Sequence, residues 1–163
     1  MRLHVSLPLD AANAIITEAL RLGRAADMLP LTVVVLDAGG KLVAMQCEDG
    51  SGIMRFNVAF GKAWGALGMG ISSRLIRDRL AKRPVFQTAL AAAAEGRLIP
   101  VPGGVLVRDA SGITIGAVGI SGDTSEKDEY CAIMGIRAAN LGSEPDQPDP
   151  AWQSSSLTDF YPD

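Results

Sequence analysis

Histidine is almost missing from the 163-residue chain: His4, close to the N-terminus, is the only one. That excludes a Ser-His-Asp triad on an ordered scaffold and any site built on several imidazoles. No G-x-S-x-G elbow, P-loop or G-x-G-x-x-G turn stands in for it, so nucleotide phosphates have no obvious cradle. Cysteine is equally scarce. Cys47 and Cys131 lie far apart with no second pair, which excludes a disulfide framework and a structural zinc site and is read as reduced thiols in a cytoplasm. Long hydrophobic runs are absent from the first thirty positions, where Arg2, Asp10, Glu18 and Arg21 interrupt the apolar residues. Neither a signal peptide nor a membrane span is expected there. Basic charge is also short: 15 Lys and Arg against 18 Asp and Glu give a net charge of -3, so neither nucleic acid nor an anionic membrane is an expected partner.

What is present is enough apolar material for one core. Hydrophobic residues make up 48% of the chain and charged residues 20%, the proportions of an ordinary globular domain. Leu9, Ala12, Ile15, Ile16, Ala19 and Leu20 recur at helical spacing behind Pro8 and predict a first helix from Leu9 to Met28. The β-branched run Leu31 to Leu36, the Asp37-Ala38-Gly39-Gly40 turn and Lys41 to Met45 predict an antiparallel hairpin. Helices are expected over Ile53 to Met69, Ser72 to Lys82 and Pro84 to Ala94. A second hairpin then runs from Val105 to Arg108 and from Ile113 to Ile120, and a last helix from Glu126 to Asn140 is capped by Thr124 or Ser125. Two hairpins separated and flanked by helices predict an α+β domain with an antiparallel sheet covered by helices.

That domain is expected to span residues 1–142. Residues 143–163 form a proline-rich, acidic tail, expected to be extended or disordered. Free tails rarely keep large apolar side chains, so Trp152, Leu157, Phe160 and Tyr161 are expected to dock on a neighbouring subunit or over a pocket.

Chemistry is concentrated in few places. Lys62 is a lone cation in a segment of alanine, glycine and aromatics, where it is either a partner for an anionic ligand, a proton-shuttling base or a solvent-facing lysine. With Arg55 and Asn57 it would form a cationic mouth to a small pocket. Gly61, Gly65 and Gly68 weaken a helix and so point to close approach of another backbone or a ligand. Pro102, Gly103 and Gly104 either present bare amides to a carboxylate or simply enter a strand. Asp123, Asp128 and Glu129 gather at the start of the last helix, where they either offer oxygens to a hard cation or, the reading preferred, simply cap the helix. Cys47, beside Glu48 and Asp49, is a blunted thiol rather than a nucleophile or a soft metal ligand. Cys131 is expected in the core, as are Met45, Met54, Met69 and Met134 ahead of any role as haem ligands.

Taken in order, Val33 to Ala44, Asp49-Gly50-Ser51, Gly61-Lys62-Ala63, Val101-Pro102-Gly103-Gly104 and Ile115 to Gly122 followed by Asp128-Glu129 resemble the GlcG/HbpS-like haem-binding family over about Leu9 to Gly142. The resemblance implies a profilin-like α/β/α sandwich around a five-stranded antiparallel sheet, assembled into hexamers or octamers. It also implies haem as a cofactor or ligand. Relatives include haem-binding redox sensors, the C-terminal domain of PduO-type proteins and a protein encoded with glycolate oxidation genes. Some hold haem through histidine or threonine. This chain has only His4, and it has Cys47 and Glu48 where many relatives have arginine and methionine. Any haem iron here would need Cys47, a methionine, Thr114 or a residue from another subunit.

Three functions follow as expectations: a haem or tetrapyrrole binder, an isomerase, tautomerase or lyase acting on a small organic acid with Lys62 as the proton shuttle, and a non-catalytic oligomeric module.

Overall fold

The computed structural model describes residues 3–157. Helix α1 (Leu9–Ala25) leads into strands β1 (Thr32–Asp37) and β2 (Leu42–Cys47). Helices α2 (Met54–Met69), α3 (Ser73–Leu80) and α4 (Pro84–Ala93) follow, then strands β3 (Gly104–Arg108) and β4 (Thr114–Ser121). Helix α5 (Ser125–Ala138) and a short strand β5 (Gly142–Glu144) complete the sheet. α1 stops three residues before the expected Met28, because the chain turns at Asp27 with φ 52° and aims Met28 back into the core.

Both hairpin turns use one device. Asp37 Oδ1 accepts from the amides of Gly39 and Lys41 at 2.9 Å each, and Asp109 Oδ1 accepts from those of Ser111 and Ile113 at 2.8 and 2.9 Å. Gly40 and Gly112 supply the positive φ that closes each turn.

The sheet runs β2-β1-β4-β3-β5, and every neighbour is antiparallel. β1 sits inside it and its residues Thr32 to Leu36 are buried, as an unbroken apolar run demands of a strand covered on both faces. Val33, Val35, Val105, Val107, Val118 and Ile120 face α1 and α5. Val34, Leu36, Leu106 and Ala117 face the small residues Ala59, Ala63 and Ala66 of α2. The result is the helix-covered antiparallel sheet that the hairpin pattern predicted, arranged as the profilin-like α/β/α sandwich that the family resemblance implied.

The α2 layer lies close to the sheet because glycine and alanine line the contact. A Cβ on Gly119 would overlap the Ala59 carbonyl, and one on Gly104 would overlap the carbonyl of Lys62. Gly61 and Gly65 face Arg97, Leu98 and Ile99, so the loop before β3, not a ligand, fills the space they leave. The segment after Gly142 does more than trail. β5 pairs with β3, Glu144 takes the Ser72 amide at 2.5 Å, and Trp152 stacks on Tyr130 with centroids 3.7 Å apart. Trp152 therefore docks on its own chain, because β5 returns the chain alongside α5. Leu157 is exposed, whereas Phe160 and Tyr161 lie outside the described residues.

Candidate functional site

Lys62 is 2% exposed. Its ammonium donates to Asp128 Oδ2 at 2.8 Å and to the Ile120 carbonyl at 2.9 Å. Lys62 leaves α2 on one face of the sheet and Asp128 opens α5 on the other, so the pair ties the two helical layers together. Gly103 permits this, since a Cβ there would sit 2.9 Å from the ammonium and 3.1 Å from Asp128 Cβ. Burial pushes the Asp128 carboxyl above its usual range, and the Lys62 ammonium pulls it back. The Lys62 amine is thus committed to Asp128 and the Ile120 carbonyl, and it lines none of the surface depressions described below.

Of the other expected residues, Gly103, Gly104 and Asp128 close directly on Lys62, whereas Asn57 stays apart and Arg55 is felt only through its charge on Asp128. Arg55 donates to Ser121 Oγ at 3.3 Å, and Asn57 is exposed with its amide 4.0 Å from Met54 Sδ. Pro102, Gly103 and Gly104 are buried, and the Gly104 amide is already given to Ser73 Oγ at 2.7 Å. The cationic mouth is therefore replaced by an internal ion pair, because Asp128, 66 positions away, draws the ammonium inward.

The acidic cluster is likewise committed. Burial opposes charge on Asp123, but the amides of Leu29 and Thr124 and the Lys127 ammonium outweigh it and hold the carboxyl below its ordinary value. Glu129 differs. It is fully buried, neither oxygen has a hydrogen-bond partner, and the Arg74 guanidinium stands 3.2 Å away. Burial dominates and raises its pKa to about 7. Among the described residues no group of three His, Cys, Asp or Glu side chains could hold a metal ion. Cys131 is buried against Met28 Sδ at 3.6 Å, and burial lifts its thiol to about 12. Cys47 is exposed. Met45 and Met54 are exposed as well, contrary to the expected core placement, since β2 is an edge strand and Met54 begins α2 at its solvent end.

Besides one of about 330 Å³ over Thr124, Glu126 and Asp149, two open depressions of about 470 Å³ reach the size of small-molecule sites, about 300–1,000 Å³. One lies over Cys47, Glu48, Asp49 and Arg24. Its cation is spent on Glu48 at 2.8 Å and on the Met28 and Leu29 carbonyls, and its carboxylates would repel an anion. The other lies over Lys82, Arg83, Pro84, Val85, Phe86 and Ala89, at the start of α4. Two cations border an apolar floor there, and no residue of α4 is buried. The floor suits a flat ring and the cations suit its carboxylates, whereas no side chain lining it is a usual iron ligand. The sequence carried a sign of this shelf: α4 reads as apolar nearly all round, and such a helix needs a cover.

The fold as a whole matches known proteins in shape. A haem complex of PduOC superposes with a TM-score of 0.77 at 25% identity, over 86% of this chain and 99% of that one. Protein ORFY of Klebsiella pneumoniae gives 0.72 at 23%, over 86% and 94%, and HbpS gives 0.67 at 22%, over 85% and 91%. The latter two bear on the fold alone. No curated protein matches the chain. The family model described as haem degrading protein HbpS-like matches residues 7–137, and the chain belongs to that HbpS-like family.

Proposed function

We propose that this protein binds a haem-type tetrapyrrole as a small anionic ligand. The observation that carries the reading is the likeness to the PduOC haem complex, which extends over nearly the whole of that domain. The burial of Lys62 against Asp128 favours binding over the organic-acid enzyme, because the side chain proposed as a proton shuttle is enclosed and already paired. Unpaired cysteines and the lack, among the described residues, of any helix long and apolar enough to cross a membrane are compatible with a cytoplasmic site of action. Assembly as a homo-oligomer, hexamer or octamer, completes the proposal.

Hemin titrated into the purified full chain should give a saturable Soret shift at a fixed ratio of ligand to protomer. A Soret band that grows linearly, as for hemin in buffer, would overturn the reading. Native mass spectrometry of the same sample should give one mass above that of the protomer.

A further inference from the structure

Helix α4 presents a contradiction that the described chain does not resolve. Val85 is 85% exposed and Phe86 42%, at the head of a helix half of whose remaining residues are alanine. Helices this apolar are buried in ordinary domains. Charge is distributed in the same place. Between Gly70 and Arg97 stand six basic residues against Asp78 and Glu95, a surplus of four positive charges on a chain whose net charge is -3. Arg74, Arg77 and Arg97 have carboxylate partners among the described residues. Lys82 and Arg83 have none, and both are exposed at the rim of the depression floored by Pro84, Val85, Phe86 and Ala89. The Arg83 guanidinium already lies 5.0 Å from the Phe86 ring centroid, the distance at which a cation and an aromatic face attract.

We infer that this shelf is the docking face for a planar aromatic dicarboxylate, with the ring laid on Val85 and Phe86 and the two carboxylates paired with Lys82 and Arg83. The inference rests on the proposed tetrapyrrole function and deepens it by naming the surface. A second copy packed shelf to shelf would cover the apolar floor but would give Lys82 and Arg83 no anion to pair with. A flat dianion answers floor and rim together. Because the shelf carries no usual iron ligand, the metal contributes nothing to holding the ring there. Recognition is by shape and charge alone.

The test compares hemin with iron-free protoporphyrin IX and with its dimethyl ester. Each is titrated into the wild-type chain, into a Lys82→Ala/Arg83→Ala variant and into Phe86→Ser, with Soret absorbance and porphyrin fluorescence as readouts. All three positions are exposed, so far-UV circular dichroism should be unchanged in the variants. The two dicarboxylates should bind the wild type with dissociation constants within a few-fold of each other. The double variant and Phe86→Ser should each weaken binding by about tenfold or more, as expected for losing charge-assisted contacts or the ring's floor. The ester should bind weakly and be indifferent to the double substitution. Wild-type binding that survives all variants unchanged would overturn this placement and leave the tetrapyrrole function standing, whereas failure of the wild type to bind hemin would overturn both. A fall from oligomer to protomer in Phe86→Ser, with porphyrin affinity kept, would assign the shelf to a second copy and overturn the inference.

Discussion

Lys62 and Asp128 meet 2.8 Å apart, buried to within 2% of full enclosure, although one belongs to the helix on one face of the sheet and the other to the helix on the opposite face. A buried ion pair is held by both members or not at all, since either charge alone stays desolvated without compensation.

Lys62→Met should therefore cost about 3–5 kcal/mol, because it strands the Asp128 carboxyl in the core. Lys62→Met combined with Asp128→Leu should recover most of that loss. Urea unfolding of the three proteins measures it, and additive losses in the double variant would show that the two side chains are not coupled.

Glu129 should make stability depend on pH. Its carboxyl titrates at 4.5 in a solvated chain and at about 7 in the fold, so the folded state holds the proton more tightly between those values. Stability then falls as pH rises from about 4.5 to 7, by at most about 1.4 kcal/mol per pH unit, and levels off above. Glu129→Gln should remove that slope. Denaturation midpoints of wild type and variant at pH 5.5 and 8 give the comparison, and parallel behaviour of the two would refute it.

Gly119→Ala should be more damaging than the change suggests. The added methyl overlaps the Ala59 carbonyl, so α2 must shift off the sheet, at a cost of about 1–3 kcal/mol or more. Gly68→Ala, on the same helix with open space around it, should be neutral or stabilising by up to about 1 kcal/mol. Thermal melts of the pair read the contrast.

Trp152→Ala should loosen the segment after β5. Loss of its stacking on Tyr130 costs about 1 kcal/mol and should raise amide exchange in residues 142–157 more than in β1. Equal exchange throughout would show that Trp152 holds nothing down.

The hairpins, the five helices and the small-residue face of α2 were legible because each depends on local spacing or on a turn residue such as Gly40 or Gly112. The fate of Lys62 was not. Its partner stands 66 positions later, and nothing near residue 62 distinguishes a lysine aimed at a ligand from one aimed through a glycine gap at the far layer. Strand β5 was illegible for a related reason: Gly142, Ser143 and Glu144 have no β pattern, and only the open edge of β3 makes them a strand. The shelf on α4 was legible only in part, because the apolar composition of the helix shows in the sequence but the exposure of Val85 and Phe86 is set by how the helix packs.

At Gly104 and Gly119 the backbone of α2 lies directly on the sheet, with no room there for a ligand between the layers. A ring held on the proposed α4 shelf would rest against an outer wall with one side still wetted. It can leave by lifting away, with no gate to open and no strand to unzip, so its transfer to another carrier would be limited by the strength of its grip rather than by motion of the fold.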